Sequence, residues 1–117
     1  MVRRIEGPAR IPVPGGKLID EHVGRVSSGD EEISIAHMTA PPGWAEPPQA
    51  PAFTEYTVVL RGMVIVEHDE GVTEVAAGQS VVTAPGEKVR YSAGPEGAEY
   101  IAVCLPAFSP ETAGREP

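Results

Sequence analysis

Apolar and polar residues alternate over short runs between residues 17 and 106, as they do in half-buried β-strands. Glycine and proline interrupt these runs at close intervals, and no apolar period of 3.6 residues lasts beyond one turn. The predicted strands are residues 17–23, 31–40, 53–60, 63–67, 72–76, 80–83, 89–93 and 99–105. About eight short antiparallel strands separated by turn residues are typical of an all-β sandwich or barrel.

The segments outside these strands are set apart by proline and glycine. Residues 1–16 contain three prolines and three glycines, which predict an extended arm without regular structure. Such an arm either lies across a neighbouring subunit or stays free. Residues 107–117 predict a short polar tail with one helical turn begun by Ser109 and Pro110. Residues 41–51 contain five prolines, which excludes a helix or a central strand there.

Length and charge narrow the classes of function. The 117 residues suffice for one domain, and 9 basic against 17 acidic residues give a net charge of -8. Nucleic acids and anionic membranes need a basic face, so neither is predicted as a partner. The single cysteine, Cys104, cannot form an internal disulfide, and no apolar run suits a signal peptide or a membrane span. These features predict a soluble, cytoplasmic protein.

Two sets of glycines have the spacing of known motifs. Eleven residues separate Gly43 from Glu55, and six separate Glu55 from Gly62. Gly78 and Gly86 have the spacing of a second motif, in which Gly86 belongs to an Ala-Pro-Gly turn. On these motifs residues 31–106 resemble the cupin family. The resemblance implies a double-stranded β-helix (jelly-roll) barrel over residues 17–106 and, together with the arm, a homodimer.

The resemblance also implies where a cupin would hold its metal, and this chain departs from the pattern there. Gln49 and Pro51 stand at two histidine positions and Val89 at a third, so that Glu55 alone keeps a ligand. A transition metal needs three or four converging donors. We therefore predict no metal site and no cofactor. An alternative keeps a divalent metal on Glu55 with His37 and either His68 or water.

Glu55 is the principal catalytic candidate. Strand alternation puts it on one face with Phe53, Thr57 and Val59, and the resemblance implies that this face points into the barrel. An apolar pocket disfavours the ionised carboxylate, which suits a general acid or base. Alternatively, Glu55 is a former ligand bonded to Gln49 or to a backbone amide, or it lies in water at the barrel mouth.

Tyr91 and Arg90 follow the lost histidine position and face opposite ways. Tyr91 shares the face of Val89, where its phenol would either donate to a substrate oxygen or pack in the wall. Arg90 would form a salt bridge outside the barrel, or bind a substrate anion if a bulge shifts the strand.

Two further residues are predicted at the cavity. His37 has the parity of Ile33 and Ile35, so it would line the cavity and exchange protons beside Glu55, or serve as a hydrogen-bonded wall residue. Trp44 follows the Pro-Pro-Gly sequence and would be either a lid over the mouth or an oligomer contact.

The sequence thus predicts a metal-independent cupin enzyme that transfers protons on a small organic acid or carbonyl compound. The reaction would be of the isomerase, lyase or cyclase type. The alternative is a non-catalytic cupin that senses or carries a small ligand. The predicted catalytic residues are Glu55, His37 and Tyr91. The predicted ligand-binding residues are Gln49, Thr57, Trp44, Arg90 and Val89.

Overall fold

A computed structural model describes residues 1–114, and almost all of its regular structure is antiparallel sheet. The strands are β1 (Ala9–Ile11), β2 (Leu18–Val23), β3 (Ser34–Ala40), β4 (Thr54–His68), β5 (Gly71–Ala76), β6 (Ser80–Thr83) and β7 (Arg90–Leu105). One helical turn, α1 (Pro110–Ala113), follows them. The predicted fold class, an all-β barrel of antiparallel strands, is confirmed.

The strands pair in the order β1-β2-β3-β7-β4-β5, with β6 added to β4. The long strands β4 and β7 pair with each other along most of their length, and the pairing shifts around Gly62. They serve both halves of the barrel, because the first part of β4 also pairs with β6 and the second part with β5.

The predicted strand breaks at Arg61-Gly62 and at residues 94–97 are wrong, because β4 and β7 continue through both. The glycines there mark a corner rather than a turn. Gly62 and Gly97 have φ values of 76° and 80°, which bend the strands without ending them. The described residues therefore contain seven strands where about eight were predicted.

The N-terminal arm is not free of regular structure. Ala9–Ile11 pairs with β2 of the same chain, so that Ala9 lies opposite Glu21 and Ile11 opposite Ile19. Arg3 donates a hydrogen bond of 2.6 Å to Asp30. The arm thus lies along its own barrel, and the prediction of an irregular segment is wrong for residues 9–11.

The C-terminal segment closes one end of the barrel. Ser109 caps α1 in a capping box with Thr112, which confirms the predicted helical turn. Residues 112 and 114 accept hydrogen bonds from the backbone amides of Ala52 and Ala50. The Phe108 ring packs edge-on against Phe53 at 6.1 Å. Residues 115–117 of the predicted tail lie outside the described residues.

The barrel interior has two unlike halves. One half is a packed apolar core, centred on the second part of β4 and the first part of β7 and containing Val64, Val66, Tyr91 and Tyr100. The other half, between β2, β3, the start of β4 and the end of β7, carries small and polar inward side chains and leaves a cavity. The functional candidates are therefore to be sought in this second half.

Candidate functional site

The cavity lies inside the barrel, between the inward faces of β2, β3, β4 and β7, and Phe108 covers one end. Its volume is about 40 Å³, which holds on the order of three water molecules. Its polar and ionisable lining residues are Lys17, Glu21, Ser34, Glu46, Gln49, Glu55 and Cys104. Its apolar lining residues are Ile11, Ile19, Ala36, Met38, Phe53, Ala102 and Phe108. A space lined by apolar side chains together with several converging polar groups has the make-up of a small-ligand site.

The structure places Glu55 inside the barrel. Its side chain is 7% exposed and lines the cavity. Its register partners are Cys104 on β7 and Thr83 on β6, so β4 holds the carboxylate between two neighbouring strands. After burial, the Glu55 charge is the next contribution that raises the pKa of the Cys104 thiol and of the Tyr91 phenol. Glu55 is therefore the negatively charged group that acts on both the Cys104 thiol and the Tyr91 phenol.

Gln49 reaches the same cavity from the proline-rich loop. Its backbone exchanges two hydrogen bonds with Val89, of 2.9 and 2.8 Å, which fix the loop against the start of β7. The Gln49 side chain is buried and lines the cavity with Glu55. Val89 is buried in the apolar core instead and does not line this cavity. The prediction that Val89 contacts a ligand is therefore wrong for this space.

Tyr91 and Thr57 also face inward, but they do not line the cavity. The Tyr91 hydroxyl lies 3.1 Å from Thr83 Oγ1, and its ring belongs to the packed core. Burial, followed by the Glu55 charge, raises the pKa of this phenol well above its ordinary value. Thr57 is fully buried. Both residues support the wall behind Glu55, and their contact with a ligand stays a prediction.

His37 lies outside the barrel, so its prediction as a cavity residue is wrong. Its Nε2 is 2.6 Å from an Oε of Glu99, and Arg61 donates to the other oxygen at 3.3 Å. These bonds, first to His37 and then to Arg61, lower the pKa of Glu99. The cavity side of β3 carries Ser34 and Ala36. Parity with isoleucine misled because Ile35 lies on the outer face of β3, on the same side as His37.

Arg90 forms the outer salt bridge that was the first of its two predicted roles, whereas Trp44 takes neither of its predicted roles. Arg90 pairs with Glu67 and donates to the Glu46 carbonyl at 3.2 Å, so it forms a salt bridge outside the cavity. Trp44 is buried and lines a second cavity of about 190 Å³ with residues 13–15 of its own arm. Trp44 is therefore packed beneath the arm, neither an open lid nor an exposed oligomer contact.

Sequence reasoning missed three ionisable residues of the cavity, namely Lys17, Glu21 and Glu46. Lys17 is 7% exposed, and its Nζ lies 4.2 Å from the ring centroid of Trp44. Glu21 accepts hydrogen bonds of 2.9 Å from the backbone amides of Val26 and Ser27, which anchors the turn after β2. Lys17 and Glu46, together with Ile19, line both cavities. The sequence did contain one signal for their position, because residues 17 and 21 have the same strand parity as Ile19 and therefore lie on the same face.

Comparisons with known proteins agree with this architecture. A variant of oxalate decarboxylase from Bacillus subtilis superposes with a TM-score of 0.77 at 19% identity, over 96% of this chain and 31% of that one. An RmlC-like cupin from Shewanella frigidimarina gives 0.75 at 18% identity, over 87% and 86% of the two chains. The protein therefore has the cupin fold, as the motif spacing implied.

The comparisons by sequence support less than the comparisons by structure. No protein-family model matches the chain. An endoribonuclease YbeY from Myxococcus xanthus is 39% identical over 107 residues, which are 91% of this chain. The chain spans about a third (36%) of the length of that curated relative. Its likeness to solved structures, below 25% identity, concerns the fold alone.

The residues present do not fit the metal that the cupin fold implies. Of the four ligand positions, only Glu55 offers a carboxylate, while Pro51 and Val89 offer no side-chain donor. Within residues 1–114, no group of three or more His, Cys, Asp or Glu side chains could hold a metal ion. The alternative set with His37 fails because His37 faces outward and His68 is bonded to Thr73. Separately, no helix in the described residues has the length and apolar character to cross a membrane.

The reactivity of the Cys104 thiol can be used to measure the effect of the negative charge on Glu55. Burial, then the Glu55 charge, raises the thiol pKa well above its ordinary 9.0. We expect Glu55→Gln to lower this pKa and to speed alkylation of the native thiol at pH 9 by about threefold or more, because only the thiolate reacts. Mass spectrometry of iodoacetamide adducts over time gives the rates. Glu74→Gln on the exposed face of β5 is the control, and equal rates in all three proteins would contradict the charge assignment.

Proposed function

We propose that this protein is a metal-independent cupin that transfers a proton on a small carbonyl compound or organic acid, with Glu55 as the general acid and base. The observation that carries the proposal is the buried carboxylate of Glu55, which lines a cavity inside the barrel where the ligand positions retain too few metal donors. A carboxyl group held in such a space suits proton transfer near neutral pH.

The chemistry would use groups that line the cavity. The Glu55 carboxylate would remove a proton from the carbon next to the substrate carbonyl, and the electron pair would move into the enolate. The Gln49 amide would donate a hydrogen bond to the enolate oxygen. For a β,γ-unsaturated carbonyl compound, Glu55 would then return the proton to the γ carbon, and the double bond would move into conjugation, which completes an isomerisation. For a compound with a leaving group on the β carbon, the electron pair would instead form a C=C bond as the bond to that group breaks, and Glu55 would protonate the departing group, which completes an elimination. Lys17 would balance the negative charge within the cavity.

The size of the cavity limits the substrate. A volume of about 40 Å³ accepts only a few non-hydrogen atoms, whereas drug-sized ligands occupy roughly 300–1,000 Å³. The second cavity of about 190 Å³ lies beyond the Lys17 and Glu46 side chains. A rotation of these two side chains would join the spaces, so a larger substrate would enter from beneath the arm.

Conversion of a substrate by the wild type and its loss in Glu55→Gln test the proposal. A panel of small keto acids, hydroxy acids and carbonyl compounds is screened by thermal shift, and mass spectrometry and proton NMR in D₂O follow conversion and hydrogen exchange. We expect Glu55→Gln to lose more than about 100-fold in turnover, in line with general acid–base catalysis. Its melting temperature should be unchanged or higher, since a buried carboxylate is costly to desolvate.

Glu74→Gln is the matched control, because it removes one exposed carboxylate from the same barrel and should leave turnover unchanged. Retained activity in Glu55→Gln would refute the role of Glu55. Elemental analysis of the purified protein accompanies the assay, and a near-stoichiometric transition metal would refute metal independence.

A second candidate function is a non-catalytic sensor or carrier of a small ligand. The Phe108 ring, which lines the cavity and packs against Phe53, favours this alternative because it narrows the route by which a substrate and its product would have to exchange. The same screen separates the two functions. A carrier gives a thermal shift without a new chemical species or exchanged hydrogen.

The name of the Myxococcus xanthus relative suggests RNA cleavage as an activity, but we do not propose this activity for this chain. A net charge of -8 would repel the phosphate backbone, and the cavity lining contains three glutamates and one lysine. A cytoplasmic location and the lack of nucleic acid partners stay predictions.

A further inference from the structure

The N-terminal arm, residues 1–16, forms part of the wall of both cavities. Ile11 on β1 lines the smaller cavity, of about 40 Å³, and residues 13–15 line the second cavity, of about 190 Å³. Lys17 and Trp44 line the second cavity as well and are only 7% and 9% exposed. Release of the arm would therefore expose both spaces to solvent on this side of the barrel.

The arm is attached to the barrel by few contacts. β1 has three residues and lies at the end of the strand order, where it pairs with β2. None of residues 1–16 is fully buried, and the two side chains that face the cavities, Ile11 and Val13, are half-buried. The other edge of β2 is paired with β3, so β2 stays in the sheet without the arm. Chain termini with few buried contacts are the parts of a domain that open most readily.

Opposite charge holds the arm on the barrel. Its three arginines and one glutamate give it a net charge of +2, whereas the other residues, with six basic against sixteen acidic, have -10. Arg10 and Arg3 each donate a hydrogen bond of 2.6 Å, to Asp20 and Asp30 respectively. Both arginine side chains are more than half exposed, at 57% and 52%. Exposed ion pairs are weak and are screened by salt, so the arm can be released without disturbing the core.

Two consecutive glycines form a hinge where the arm joins β2. Gly15 and Gly16 have φ values of 87° and 82°, and glycine can leave this conformation for others at low cost. The hinges of lids are such short stretches at the end of an element. A Cβ on Gly15 would lie 3.4 Å from the Trp44 ring, so the hinge lies directly against the second cavity. Lys17, the next residue, lines both cavities.

We propose that the arm is a lid over the candidate site, held closed by the Arg10–Asp20 pair and released by rotation at the two glycines. A ligand enters the second cavity beneath the lid and passes Lys17 to reach Glu55. Because the arm is basic and the barrel acidic, added salt favours the open form. The proposal concerns access, so it depends on a ligand site in these cavities and not on proton transfer by Glu55.

A reversible cross-link between β1 and β2 tests the lid. Arg10 lies opposite Asp20 in the register, and residues that face each other in an antiparallel pair have Cα atoms about 4.5–5.5 Å apart. A disulfide spans this distance. Oxidation of the Arg10→Cys/Asp20→Cys double variant therefore locks the arm, and reduction releases it.

Two probes report access to the cavities without any substrate. Acrylamide quenching of Trp44, the single tryptophan, reports on the second cavity. Alkylation of Cys104 by iodoacetamide at pH 9, followed by mass spectrometry of the Cys104 peptide, reports on the smaller one. We expect oxidation to lower the quenching constant and the alkylation rate by about threefold or more, because both probes need release of the arm. About 0.5 M NaCl should raise both values in wild type and in the reduced variant but not in the oxidised one.

Single arginine variants give the opposite change and its control. Arg10→Ala removes the pair with Asp20 and should raise both values by about twofold. Arg4→Ala removes the same charge from the same arm but keeps that pair, so both values should stay near those of wild type. Circular dichroism checks that each variant keeps the barrel, and if Arg10→Ala does not, the oxidised and reduced forms of the double variant decide. Equal quenching in these two forms refutes the lid, and slowed quenching with unchanged alkylation of Cys104 refutes the route to the smaller cavity.

Discussion

Replacing Gly62 with alanine is expected to lower the free energy of unfolding by about 2–5 kcal/mol. Gly62 has φ = 76°, a conformation that costs an L-residue about 1–2 kcal/mol. An added Cβ would also lie 2.1 Å from the carbonyl oxygen of Gly97, a backbone atom that cannot rotate away. Forced displacement of close-packed neighbours adds about 1–3 kcal/mol. Urea denaturation followed by circular dichroism measures the loss.

Gly78→Ala separates the two causes. Gly78 has a similar φ of 86°, but an added Cβ there meets no atom within 4 Å. It should cost only about 1–2 kcal/mol, from backbone strain alone. Equal losses in the two variants would show that β4 and β7 do not approach as closely at the corner as described.

The same corner shows what local sequence signals can and cannot predict. Residues 80–83 were predicted as a strand with the bounds of β6, because Gly78 and the Ala-Pro-Gly turn delimit it on both sides. Gly62 and Gly97 give the same local signal, yet the strands run through them. Whether a glycine ends a strand or bends it depends on the pairing of β4 with β7. This pairing joins residues about forty positions apart and is not contained in a short window.

The site was predictable where alternation and motif spacing agreed. Both put Glu55 on the inward face of its strand, and the structure places it there. Strand alternation gave the wrong face for His37, because we assumed that the side of the strand with isoleucine is the inner one. In β3 the inner residues are Ser34 and Ala36, which leave room for the cavity, and Ile35 lies outside.

Lys17 and Glu21 were missed for a related reason. Charged residues are rarely buried, so an alternating strand that begins with lysine is interpreted as having its charges in water. Here Ile19, between them in the alternation, lies on the same inward face. The aromatic rings above Lys17 and the backbone amides that bond Glu21 make burial tolerable. The rings come from Trp44 and Tyr100, which are distant in sequence, and the amides come from Val26 and Ser27 in the turn after β2, so no pattern within β2 itself reveals these partners.

Alkaline pH is expected to unfold this barrel steeply, because three acidic side chains are buried in their neutral form. Burial is the main cause that raises the pKa values of Tyr91, Tyr100 and Cys104 above their ordinary 10.0, 10.0 and 9.0. The unfolded chain loses these protons near the ordinary values, whereas the folded chain keeps them. Since the unfolded state then binds fewer protons, stability falls as pH rises.

The slope follows from the number of groups. Each contributes at most about 1.4 kcal/mol per pH unit, a limit reached when the group is fully ionised in the unfolded chain, so Cys104 should lower the free energy of unfolding by about 1 kcal/mol between pH 9 and 10. Between pH 10 and 11, where all three groups act, it should fall by about 3 kcal/mol. Urea titrations at half-unit steps from pH 8 to 11 measure this. Cys104→Ala should flatten the first interval, and Tyr91→Phe should remove about a third of the steeper slope. A stability independent of pH up to 11 would mean that these side chains reach water in the folded state.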